Sequence, residues 1–174
     1  MKIICVMVSS LDGKITKGNN PSIHEWTSSE DQVYFSQLIK ENALIFMGRN
    51  TYENAKSMMQ HTEGKLRIVF TRQPERYKKE QIPGMLEFTN EDPIKVTKRL
   101  EQTNKQALLV GGSEINTLFL QKKLINELWL TVEPIALGTG KTLFTNTSLV
   151  SLKLFECTKL NKKGTSLLKY HILY

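Results

Sequence analysis

The chain has 174 residues, of which 40% are apolar and 24% charged, and it carries a net charge of +7. That length suits one ordinary core and is short for two, and no apolar run approaches the roughly 18 residues that cross a bilayer, which excludes a membrane-spanning helix. The opening segment MKIICVMV has one charge and no small-residue cleavage pattern, so it reads as a first strand and not as a secretion signal. Cys5 and Cys157 each lie in an apolar, strand-like run. That is the placement of buried free thiols in a reducing compartment, and the expected location is the cytoplasm. The basic pairs Lys78-Lys79, Lys122-Lys123 and Lys162-Lys163 are far apart in sequence. They read as a solvated lysine-rich surface that leaves room for a polyanionic small molecule; neither nucleic acid nor a membrane is the expected partner.

In chain order, the apolar runs 3–8, 43–47 (ALIFM), 66–70 (LRIVF), 85–88 (MLEF) and 107–110 (ALLV) predict strands. Helical periodicity lies between them. The segment 28–40 offers Thr27-x-x-Glu30 or Ser29-x-x-Gln32 as a capping box and Phe35, Leu38 and Ile39 as its apolar stripe. Segments 92–103 and 113–122 predict two further helices, the second with Ser113 as N-cap and Ile115, Leu118 and Phe119 facing the core. The segments 17–26 and 71–84 read as surface loops. From 126 onward the pattern changes to strands at 126–135, 152–160 and 165–173, the last two joined across Asn161-Lys162-Lys163-Gly164. Continuous apolar strands followed by a terminal hairpin predict an α/β fold with a mixed, mostly parallel sheet ending in an antiparallel hairpin, in one domain over 1–174.

In such a sheet ligands sit beyond the carboxyl ends of the strands. Run 43–47 ends in Gly48-Arg49-Asn50-Thr51, which offers close backbone approach, a fixed cation and a hydroxyl. Run 107–110 ends in Gly111-Gly112-Ser113, which puts free amides at a positive helix end. Both loops suit phosphate, although a single glycine after a strand is more often a plain turn. Phe70-Thr71-Arg72 brings a further hydroxyl and guanidinium, fit for the 2′-phosphate that separates NADP from NAD, or else a surface arginine. Asp12, in Ser9-Ser10-Leu11-Asp12-Gly13-Lys14, is either a turn residue or a site acid. The chain carries neither a G-x-G-x-x-G nor a P-loop fingerprint, no G-x-S-x-G elbow, and no metal-ligand spacing among His24, His61 and His171. A reaction carried by a nucleotide cofactor is what these residues leave.

The motifs SSLDGKI (9–15), FMGRNTYE (46–53), LLVGGSEINTLFL (108–120) and INELWLTVEPIALGTGKTLF (125–144) together resemble the dihydrofolate reductase-like superfamily. The resemblance is closest to the C-terminal reductase domain of bacterial bifunctional riboflavin-biosynthesis deaminase-reductases. It implies a three-layer α/β/α fold, NADPH as cofactor and, at the turn matching Gly111-Gly112, a cis peptide. Gly48, Arg49, Thr51, Thr71, Arg72, Gly111, Gly112, Ser113 and Glu114 become cofactor-side residues, with Pro134, Leu137 and Gly138 shaping the far wall near the nicotinamide. On the substrate side it implies Ser10, Lys14 and Trp26, with Asp12 orienting a hydroxyl or assisting proton delivery. The proline-rich stretch whose acid binds the pterin in dihydrofolate reductases is absent from HEWTSSEDQ (24–32), where Glu30 or Asp31 stands nearest to that acid. The implied substrate is the 5-amino-6-(5-phosphoribosylamino)uracil of riboflavin synthesis, with dihydrofolate and a non-catalytic nucleotide-binding role as alternatives. A homodimer through the last strands, with Trp129, Leu149, Leu152 and Leu154, is implied as well; the plainer reading makes these four core residues.

Overall fold

A computed structural model describes residues 1–174. Its centre is β1 (Lys2–Ser10), and the strands that follow are β2 (Leu44–Gly48), β3 (Leu66–Phe70), β4 (Leu86–Thr89), β5 (Gln106–Leu109), β6 (Glu127–Glu133), β7 (Ser151–Lys159) and β8 (Ser166–Leu173). They form one sheet in the order β4-β3-β2-β5-β1-β6-β8-β7. The strands from β4 to β6 run parallel, and β8 pairs antiparallel with both β6 and β7. Ile3, Ile4 and Cys5 of β1 are fully buried, as a strand covered on both faces must be, and this is why its apolar run is continuous rather than alternating.

Four helices cover the sheet: α1 (Ser29–Glu41), α2 (Arg49–Ala55), α3 (Pro93–Leu100) and α4 (Ser113–Gln121). One face buries Ile3, Phe46, Ile68 and Leu109 under Val96 of α3 and Phe119 of α4. The other face buries Ile4, Val6 and Leu108 under Leu38 of α1, and Met47 and Val69 under Tyr52 of α2. Three layers result, α/β/α. No helix is long and apolar enough to cross a membrane.

Four local expectations are corrected. Neither capping box at the start of α1 forms; Ser28 is the N-cap, its hydroxyl accepting from the Asp31 amide at 3.3 Å. Gly112, not Ser113, is the N-cap of α4. Helix α2 is unexpected from sequence because only Tyr52 of its seven residues is buried, too few for a periodic stripe. Tyr52 anchors it, edge-on to Phe88 at 4.9 Å with its hydroxyl donating to Glu80 at 2.7 Å. Cys157 is exposed, unlike Cys5, because every residue of β7 is at least partly open to solvent on an edge strand with a bulge between Leu154 and Glu156.

Candidate active site

Beyond β1 the chain skips a position to build β2, and β5 later fills the gap between them. The crevice at the carboxyl ends of β1, β5 and β2 is the topological switch point of the sheet. An open cleft of about 2050 Å³ lies there and continues over the face that carries α1 and α2. The two glycine loops meet in it: the Gly48 amide donates to the Gly111 carbonyl at 2.7 Å, and the Gly111–Gly112 peptide is cis. Space around these glycines is limited. A Cβ on Gly111 would lie 3.0 Å from Met7 Sδ, and its φ of +92° already disfavours any side chain. A Cβ on Gly48 would meet Ile115 Cγ2 at 3.4 Å.

Gly48, Arg49, Thr51, Thr71, Arg72, Gly112, Ser113 and Glu114 all line the cleft, while Gly111 sits buried just behind it. Arg49 and Arg72 are exposed at its rim and make no ion pair within the chain. The Ser113 hydroxyl, in the first turn of α4, is buried with no hydrogen-bond partner. An orphaned donor at a helix N-terminus, beside glycines and two free guanidiniums, fits an anionic, diphosphate-bearing cofactor.

The opposite wall is α1. Asp31 is 5% exposed and lines the cleft. Burial, with Glu133 nearby, outweighs the hydrogen bond from Thr131 and pushes its carboxyl up to about 6. Glu133 closes the floor behind it, accepting from the Ser28 amide at 2.7 Å and the Thr165 hydroxyl at 2.6 Å. Tyr34, one turn along α1, also faces the cleft, and its buried hydroxyl has no partner.

The other substrate-side expectations are placed differently. The Asp12 carboxylate is exposed and accepts from the Ser10 hydroxyl at 2.6 Å, the Leu137 amide at 2.9 Å and the Gly138 amide at 2.8 Å. The Ser10 hydroxyl and these amides hold it down to about 2. A carboxylate so committed neither lends nor takes a proton near neutrality; it clamps the end of β1 to the 134–142 loop. Leu137 and Gly138 spend their amides on that clamp and stand outside the cleft lining, as do Ser10, Lys14 and Trp26. Lys14 is bridged through its backbone to Thr142. Glu30 points to solvent and pairs with Asn161 at 3.3 Å, because the helix turn that buries Asp31 turns its predecessor outward. Sequence reasoning missed Tyr34, Thr131 and Glu133, whose role depends on α1 crossing the end of β6. It also missed Arg67, a charge inside the otherwise apolar run LRIVF.

A family profile described as the RibD C-terminal domain matches residues 1–168. The chain belongs to the RibD C-terminal domain family. The chain is 31% identical over 169 residues to the uncharacterized protein YwjB of Bacillus subtilis, covering 94% of this chain and 90% of that one. A putative riboflavin biosynthesis protein from Shewanella sp. PV-4 superposes with a TM-score of 0.79 at 22% identity, covering the whole of both chains. The diaminohydroxyphosphoribosylaminopyrimidine deaminase/5-amino-6-(5-phosphoribosylamino)uracil reductase of Thermotoga maritima superposes with a TM-score of 0.74 at 13% identity, covering 98% of this chain and 56% of that longer one. At these identities the two solved structures establish the RibD-type fold of this chain.

Proposed function

We propose that this RibD C-terminal domain protein is an NADPH-dependent reductase acting on a pyrimidine- or pterin-like small molecule, with 5-amino-6-(5-phosphoribosylamino)uracil as the first substrate to try. The observation that carries the reading is one cleft in which phosphate-ready glycine loops face a buried carboxyl, Asp31, across the switch point of the sheet. NADPH, when bound, supplies the hydride.

The chain's own residues supply the rest. Gly48, Gly112 and the Ser113 hydroxyl take the diphosphate, with Arg49, Thr51 and Glu114 around it. Thr71 and Arg72, beyond β3, read the 2′-phosphate, since a planar guanidinium suits bidentate phosphate contacts. Asp31 orients the heterocycle through its ring N–H groups and holds a proton in the acid range. Asp12 is a positioning residue, because it fixes the 134–142 loop beside the cleft and stands outside the cleft lining. A carboxyl at the start of α1 also favours the second reading, a dihydropterin substrate, since pterins present an amidine-like edge that a carboxylate can pair with.

Absorbance of the reduced nicotinamide, followed with the phosphoribosylaminopyrimidine, dihydrofolate and dihydrobiopterin in turn, separates these readings. Turnover of the first with NADPH in preference to NADH is the expected result. Turnover of a pterin alone selects the second reading, and loss of neither NADPH nor NADH with any of the three contradicts both. In solution the protein pairs as a homodimer through β7, whose exposed Leu152, Leu154 and Phe155 lie on the open edge of the sheet.

A further inference from the structure

The turn between β7 and β8 is organised around one side chain. The Asn161 Oδ1 accepts from the amides of Lys163 at 3.0 Å, Gly164 at 3.1 Å and Thr165 at 3.2 Å, the local bonding that makes Asn a turn residue. Its Nδ2 donates to the Thr165 hydroxyl at 2.9 Å and to Glu30 at 3.3 Å. Thr165 is 1% exposed. With Asn161 donating to its oxygen, its one O–H is left for Glu133 Oε2, 2.6 Å away. The other oxygen of Glu133 accepts from the amide of Ser28, which in turn caps α1 by accepting from the Asp31 amide.

These bonds close a ring that leaves the hairpin turn through Thr165, crosses Glu133 to Ser28, and returns from Glu30 to Asn161. Asp31 lies within its span, buried beside Glu133 and hydrogen-bonded by Thr131. Two neighbouring buried carboxyls share a proton, and it settles on the one with fewer donors. Glu133, 3% exposed, has a donor on each oxygen. The proton therefore falls to Asp31. Of the residues involved only Asp31 lines the cleft; Ser28, Glu133, Asn161 and Thr165 stand behind it.

We propose that Thr165 is a positioning residue for the cleft: its hydroxyl, aimed by Asn161, holds Glu133 as a fixed acceptor at the α1 N-cap and so keeps the proton of the carboxyl pair on Asp31. The inference rests on reading Asp31 as the group that meets the substrate, and it adds control of that group from the side away from any ligand. Without the Thr165 hydroxyl, one oxygen of Glu133 is buried with no donor. A carboxylate in that state takes up the proton itself, and Asp31 becomes the ionised member of the pair.

The test is carbon-13 NMR of the Asp and Glu side-chain carboxyls from roughly pH 4 to pH 8, on the whole chain without cofactor or substrate. Asp31→Asn and Glu133→Gln assign the two resonances. In wild type the step near pH 6 should belong to Asp31. In Thr165→Val, which keeps the shape and loses the hydroxyl, most of that step should pass to Glu133. In Thr165→Ser, which keeps the hydroxyl, it should remain on Asp31. A residue that only stabilises the hairpin would not move a proton between carboxyls. An Asp31 step undiminished in Thr165→Val, an equal transfer in Thr165→Ser, no Asp31 step in wild type, or failure of both Thr165 variants to fold would each overturn the proposal. Because no ligand is present, failure of this inference and failure of the reductase reading are told apart: the carboxyl titration decides the first and the turnover assays the second.

Discussion

Asp31 and Asp12 are both carboxylates near the mouth of one sheet, and their surroundings drive them in opposite directions. Asp12, exposed and bound by a hydroxyl and two amides, is ionised at any ordinary pH; Asp31, buried beside Glu133, is held up to about 6. The sign of its effect follows. The folded chain binds a proton at Asp31 that the unfolded chain has released, so this residue makes stability fall as pH rises from about 4 to about 6, and its cost persists above that. Asp31→Asn should therefore raise stability at pH 7 by on the order of 2–3 kcal/mol, for a shift of about two units, and should flatten the slope of the thermal midpoint between pH 4 and 6. In the free enzyme kcat/KM should decline above about pH 6 and lose that limb in the variant. A variant no more stable than wild type at neutral pH, with an unaltered rate profile, would remove Asp31 from the role given to it. The sequence named Asp31 only as one of two adjacent acids. What separates it from Glu30 is the rotation of α1 set by Ser28 as cap, and two overlapping capping boxes concealed that choice.

The strands were the most legible elements. ALIFM, LRIVF and ALLV are continuous apolar runs because helices cover both faces of β2, β3 and β5, and the polar Asn161–Gly164 turn announced the β7–β8 hairpin. Helix α2 was hidden since it is held by Tyr52 and its aromatic neighbours, Tyr77 and Phe88, from segments distant in sequence. The character of β7 was also hidden. An apolar run cannot say whether a second layer covers it, and here none does: Leu152, Leu154 and Phe155 are 42%, 48% and 43% exposed, and Leu149 just before them is 97% exposed. The core assignment of Leu149, Leu152 and Leu154 thus fails, and the proposed homodimer places a second copy on this edge strand with its exposed apolar side chains. Sedimentation equilibrium should find a dimer for wild type and a monomer for Leu154→Glu; a wild-type monomer at micromolar concentration contradicts this contact.

Across the whole molecule the division of labour follows the sheet. The loops after β2, β3 and β5 carry the residues proposed for the cofactor, and the position of these loops was readable because Gly48, Thr71-Arg72 and Gly111-Gly112 each follow an apolar run closely. The wall opposite is made by α1 and the end of β6, brought together only by the fold. Arg67 shows the same limit, since an arginine in a strand reads as an interruption until the chain around it is seen to leave it without a partner. The proposed function rests on nucleotide binding in this cleft. Its most direct test is titration of NADPH into wild type and into the double variant Arg49→Met/Thr51→Val, which alters the rim and leaves the buried core intact. The account predicts saturable binding to wild type, weaker binding of NADH, and affinity for NADPH at least tenfold lower in the double variant. Equal affinity in the two proteins, or no binding of NADPH to wild type, would contradict it.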